Sequence, residues 1–183
     1  MLPDFTAEGL LPAGDYPLTL PQLRASTLVV GPPPLVAAGT WDAAWRAHLV
    51  DNLAILVDQL WRVGLDRIFV NDSFVEDKAH PNDIDGYFEC TYAMLASGQL
   101  EAALNALDPE HAWTWDVTRR RFDTDSGKWQ LPMWHAYRVE LYPHVPGLLS
   151  GIRDRYGNEL PFPSAFRQQR GTFAPKGIVR ILK

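Results

Sequence analysis

The sequence contains a single cysteine, Cys90, in 183 residues. No disulfide can form within the chain, and no cysteine-based zinc site can be built. A reducing, cytoplasmic setting is therefore expected. No apolar run approaches the roughly 20 residues that a membrane-spanning helix needs, so no membrane partner is expected. The opening "MLPDFTAEGLL" has no basic segment followed by an apolar one, and no signal peptide is expected there. Positive charge is in deficit: 17 Lys and Arg stand against 22 Asp and Glu, a formal net charge of −5. That balance argues against non-specific DNA or RNA binding, which depends on neutralising many phosphates. Internal repeats and low-complexity tracts are also missing.

What is present is ordinary for a globular chain: 46% hydrophobic and 21% charged residues. The length suggests one domain that buries about 70% of its unfolded surface and needs no staple to fold. Seven Trp are scattered between positions 41 and 134 and read as core and groove lining. Residues 1–39 carry seven of the fifteen prolines and read as an extended, irregular arm wrapping a domain at 40–183.

Within that domain, Trp45, Leu49, Leu53, Leu56, Leu60 and Val63 recur at three- and four-residue spacing. They predict a helix over 41–63, with Thr40 as N-cap and Gly64 as stop. His48 and Asn52 lie at the edge of its apolar stripe. "RIFVN" (67–71) and "IDGYFECTY" (84–92) predict two neighbouring strands, and "AYRVELYP" (136–143) a third. In that third strand, alternation puts Arg138, Glu140 and Tyr142 on one face. Residues 93–107 predict a helix broken near Gly98, and "KGIVRIL" a last strand. Arg119-Arg120-Arg121 reads as a solvated loop. "DTDSG" (123–127) reads as a turn, because it lacks the late bidentate Glu and the Gly position of a calcium loop.

The chemistry concentrates in "VNDSFVEDKAHPNDIDGYFEC", residues 70–90. Asp83 and Asp85 are two apart at the start of a strand, so their carboxylates share a face. Paired carboxylates suit a hard divalent cation, with phosphates and water completing its shell. Two such cations can clamp the attacking and leaving oxygens of a phosphoryl or nucleotidyl transfer. Ser73 follows the preceding strand, where a hydroxyl and turn N–H groups make a small anion-binding concavity. Glu140 is the candidate third carboxylate. The bland reading is that "PND" is a turn and the aspartates cap it. No G-x-S-x-G surrounds Ser73, which argues against a nucleophilic serine.

"DSF", with nine residues between its Ser73 and Asp83, then "DID" opening a strand resembles the signature of minimal nucleotidyltransferases of the DNA polymerase-beta-like superfamily. "PDFTAEGLLPAG", "PNDID" and "KGIVRI" look like segments of a less characterised bacterial branch of it. The resemblance implies an α/β (α+β) fold, a mixed sheet flanked by helices, here with the N-terminal arm. It implies Asp83, Asp85 and Glu140 as catalytic metal ligands and Ser73 as the triphosphate contact. Asp72, Lys78 and Arg138 are further candidates for contact with the nucleotide; loop solvation is the alternative for Lys78, and pairing with the carboxylates for Arg138. The cofactor would be Mg2+ or Mn2+ and the donor a nucleoside triphosphate. The acceptor would be an RNA, a protein or a small molecule, and several such proteins serve in toxin-antitoxin or defence systems. Asp72 departs from the pattern, which has glycine there. Unless its carboxylate turns away or joins the metal cluster, it repels a triphosphate. A catalytically degenerate module, binding a protein partner through the aromatic stretch Trp113–Trp134, is therefore the second expectation. Lys176 and Arg180 match the terminal segment, with no derivable role.

Overall fold

A computed structural model describes residues 2–183. In chain order it contains β1 (Asp15–Thr19), α1 (Leu20–Arg24), α2 (Thr27–Val30), α3 (Pro33–Ala37), α4 (Ala43–Arg62) and β2 (Ile68–Asn71). A 3-10 turn (Asp72–Val75) follows, then β3 (Ile84–Glu89), α5 (Tyr92–Ala96) and α6 (Gln99–Asn105). The second half holds β4 (Arg121–Asp123), β5 (Lys128–Gln130), α7 (Pro132–Tyr137), β6 (Val139–His144), β7 (Ile152–Arg153), β8 (Glu159–Leu160), α8 (Phe162–Ala165) and β9 (Ile178–Leu182). The α+β class expected from sequence is the one observed.

Five strands form one mixed sheet in the order β1-β9-β2-β3-β6. β1 runs parallel to β9 and β6 parallel to β3, while β2 is antiparallel to both of its neighbours. β4–β5 and β7–β8 are separate two-stranded hairpins.

The pleat sends alternate side chains to opposite faces. Val70, Ile84, Phe88, Val139, Leu141, Val179 and Ile181 face α4, whose Leu49, Leu53, Leu56 and Leu60 are fully buried in the same core. α4 starts two residues later than expected. Its N-cap is Asp42, which accepts from the Trp45 N–H at 2.9 Å, while Thr40 Oγ1 donates to the Leu35 carbonyl instead. A carboxylate at this position satisfies a free N–H and the positive end of the helix dipole together.

The N-terminal segment differs from the extended arm read from its prolines. Pro17 sits inside β1, which is tolerated because β1 is an edge strand paired only with β9. Pro21 lies in the first turn of α1, and Pro33 and Pro34 in that of α3, where a missing N–H costs nothing. β6 also begins later than expected. Residues 132–137 are helical, and Arg138 ends that helix in the left-handed region at φ 54°. The helix break at Gly98 falls where expected, at φ 71°.

The opposite face of the sheet carries Phe69, Tyr87 and Ile178, covered by Phe162 and Phe166 from α8 and its end. Next to that aromatic patch, Asn71, Asp85 and Glu140 stand side by side in register on β2, β3 and β6.

Candidate functional site

β2 ends at the buried Asn71, whose side chain works in two directions. Its amide donates to the Gly177 carbonyl at 2.6 Å, and its oxygen accepts the Asp72 N–H at 2.5 Å. The chain then turns through Asp72 at φ 56°, a conformation usual for glycine and tolerated by aspartate. Asp72 thus adopts a backbone that a glycine would favour, yet keeps a carboxylate. That carboxylate turns inward. Oxygens of Asp72, Asp83 and Asp85 lie within 4.8 Å of one another. Of the two conditions posed for Asp72, joining the carboxylate group is the one met.

Each aspartate has its own support. Trp134 Nε1, from α7, donates to Asp83 Oδ2 at 2.6 Å. The Arg138 guanidinium lies 3.8 Å from the Trp134 ring centroid. Asp85 is fixed by β3 itself, between Asn71 and Glu140. Gly86, the next residue, is required there: a Cβ would come 2.2 Å from the Phe69 carbonyl oxygen. Glu140 is buried and accepts from the Leu131 N–H at 3.0 Å and from the Tyr142 hydroxyl.

The turn and the loop after it are tied down by two buried cations. Arg46 of α4 donates to the carbonyls of Leu28 (2.6 Å), Phe74 (2.8 Å), Glu76 (3.0 Å) and Lys78 (2.6 Å). Burial lowers its pKa to about 9. Lys176 Nζ donates to the Asp72 carbonyl at 3.1 Å and to Glu76 Oε1 at 2.7 Å.

These groups open onto a cavity of about 750 Å3, within the range of roughly 300–1,000 Å3 usual for small-molecule sites. Asp72, Ser73, Lys78, Asp83, Asp85 and Glu140 line it. Arg120, Lys128, Arg153 and Arg170 contribute cationic groups to the lining, and Trp129, Tyr142, Phe162 and Phe166 aromatic ones. Glu140 stands beside the three aspartates but outside their tight group. Arg138 lies apart from the expected set. As the residue ending α7 it packs on Trp134 and does not line the cavity.

Burial first, and crowding after it, set the protonation. Burial raises the Asp85 carboxyl well above its ordinary range, and the charges of Asp83, Asp72 and Glu140 push it further. Burial also raises Asp83, despite the hydrogen bond from Trp134. Burial works to raise Asp72 too, but a hydrogen bond from Asp85 and the charges of Lys176 and Arg170 overcome it and leave this carboxyl low. A proton on Asp85 shared with Asp72 accounts for both directions. This excess of negative charge, with oxygen as the sole donor type, fits a hard divalent cation.

Several supporting residues were not visible as such in the sequence. Lys176 reaches Asp72 across 104 positions and Trp134 reaches Asp83 across 51. Arg120, in the run read as a solvated loop, lines the cavity. Among the described residues no helix is long and apolar enough to cross a membrane.

Over residues 3–182 the sequence matches DUF6932, described as a family of unknown function. No curated protein and no solved structure matches the chain.

Proposed function

The chain belongs to the DUF6932 family, a family of unknown function, and we propose that it is a divalent-cation-dependent nucleotidyltransferase. It would move a nucleoside monophosphate from a nucleoside triphosphate to an acceptor hydroxyl. The observation that carries this reading is the junction of three close carboxylates with a cation-lined cavity of about 750 Å3. A metal-bound polyphosphate is the ligand class that needs both at once.

Asp83 and Asp85 would hold Mg2+ or Mn2+, with Asp72 as the third close oxygen donor. The bound cation would neutralise charge on the phosphates as the reaction proceeds. Ser73, at the start of the turn, offers a hydroxyl to a phosphate oxygen. Lys78, Lys128 and Arg170 offset charge along the chain of phosphates. The acceptor oxygen would form a bond to the α-phosphorus as the bond to the β-bridging oxygen breaks. Pyrophosphate leaves, and the hydroxyl proton passes to a carboxylate. Glu140, held by Tyr142 and the Leu131 N–H, would keep Asp85 in line and assist that proton transfer. Most of the rate gain would come from positioning and charge neutralisation.

The test is calorimetric titration with Mg2+ and each of the four nucleoside triphosphates. Wild type should bind at least one. The Asp83→Asn/Asp85→Asn double variant should bind none while remaining folded. Equal binding by both proteins would defeat the reading.

One observation favours a second reading, a protein-interaction module on the same fold. Phe122 (51% exposed) and Trp129 (61% exposed) pack on each other at 5.7 Å on the β4–β5 hairpin. Trp113, Trp115 and Trp134, from the same stretch, pack into the interior instead. A partner that binds wild type and the double variant equally would favour this second reading.

A further inference from the structure

The backbone of Asp72 is fixed by side chains at both of its polar groups. Asn71 Oδ1 takes the N–H at 2.5 Å, and Lys176 Nζ reaches the carbonyl at 3.1 Å. The Lys176 side chain is 1% exposed, and its other partner is Glu76 Oε1 at 2.7 Å, in the same segment. Its own N–H donates to the Arg167 carbonyl at 2.9 Å, so the stem is anchored as well. Burying an ammonium is costly unless it is fully partnered. Here both partners belong to the turn that feeds the carboxylate group, and Lys176 itself does not line the cavity. Asp72 also sits in the left-handed region, where an L-residue needs outside restraint.

We propose that Lys176 is a positioning residue whose ammonium holds the Asp72 backbone so that the Asp72 carboxylate completes the oxygen donor set with Asp83 and Asp85. This rests on the divalent-cation reading above. A metal site depends on the groups that orient its ligands as well as on the ligands, and losing such a group typically costs about 10–100-fold in metal affinity. Lys176 acts through Asp72, so its effect must vanish when Asp72 carries no carboxylate.

The experiment titrates Mn2+ into the full chain by calorimetry. It compares wild type with Lys176→Met, Lys176→Arg, Asp72→Gly and the Asp72→Gly/Lys176→Met pair. Lys176→Met should weaken Mn2+ binding about tenfold, and Lys176→Arg should recover part of the loss. In the Asp72→Gly background Lys176→Met should add nothing. Equal losses in both backgrounds, or unchanged affinity in a folded Lys176→Met, would overturn the proposal. Amide hydrogen exchange over residues 72–76 is the second readout, and it should be faster in Lys176→Met than in wild type or Lys176→Arg. A wild type that takes up no Mn2+ would defeat the cation reading alone, because the exchange result still decides whether Lys176 holds the turn. Should Lys176→Met fail to fold, Glu76→Gln removes the partner charge and must weaken Mn2+ binding in the same direction; unchanged binding would count against the proposal.

Discussion

On one face of the sheet Val70, Phe88, Val139 and Val179 are fully buried against the leucines of α4. On the other, Asn71, Asp85 and Glu140 form a polar row beside Asp72 and Asp83, open to a cavity. The same strands build both, and the pleat alone separates them. The first face gains stability from apolar burial. The second buries carboxylates, which raises the pKa values of Asp83 and Asp85, and their mutual repulsion pushes the same way. The difference teaches where stability and chemistry are kept. A region that works against folding is retained only where the rest of the fold compensates for it.

The comparison breaks most severely where the stable face is made to release the other. Arg46 belongs to α4, yet its guanidinium holds the Phe74 carbonyl of the Asp72 turn and the Glu76 and Lys78 carbonyls of the loop after it. Arg46→Met should strip four buried or partly buried carbonyls of their donor. A loss of about 3 kcal/mol or more is expected, because each unsatisfied buried acceptor costs about 1–3 kcal/mol. Denaturant unfolding measures it, and any divalent-cation binding should weaken in parallel. A variant as stable as wild type would mean that the loop does not depend on α4.

Gly86→Ala should come next. Its Cβ would press on the Phe69 carbonyl oxygen at 2.2 Å and on Leu141 at 3.0 Å, between strands with no room to part. Overpacking of this kind typically costs about 1–3 kcal/mol. The same thermal or denaturant unfolding reads it, and it also shifts Asp85, one residue away. A loss of cation affinity larger than the loss of stability explains would show that register at β3 serves the acidic row.

Much of the stable face was legible in the sequence and much of the other was not. The stripe from Trp45 to Val63 and the β-branched runs of β2 and β9 announce themselves by period, because one uniform apolar environment dictates every position along them. β1 escaped because Pro17 disguises an edge strand, and α1 and α3 because a proline in a first turn looks like a helix breaker. In the site, Asp83, Asp85 and Ser73 were visible because local spacing puts them together. Asp72 was visible as a departure, and its left-handed backbone explains how a non-glycine fits there. Lys176, Trp134 and Arg170 were not visible as parts of it, since tertiary folding alone brings them to the aspartates. Arg138 was misplaced for a local reason. The strand was begun three residues too early, across the end of α7 and over Arg138.

The smallest effect sharpens the comparison most, because its sign runs against intuition. Asp83 and Asp85 have raised pKa values, so between the ordinary aspartate range near about 4 and those raised values the folded state binds more protons than the unfolded one. Stability from these two groups is therefore fully present below the ordinary range and is lost as pH rises through the raised values. Asp72 runs the other way, its contribution present above the ordinary range and lost on acidification through its lowered value. With two groups against one, and Asp85 the most displaced, the acidic row should destabilise the cation-free protein at neutral and alkaline pH. Asp85→Asn removes the most displaced charge and should raise Tm at pH 8 by roughly 2–4 °C, the shift expected for about 1 kcal/mol in a chain of this size. Mg2+ should raise the Tm of wild type at pH 8 and leave that of Asp85→Asn nearly unmoved, since the cation relieves the same repulsion that the variant has already lost. Thermal melts at pH 5 and pH 8, with and without Mg2+, decide it. A variant less stable than wild type at pH 8 would mean that Asp85 holds the row together rather than straining it.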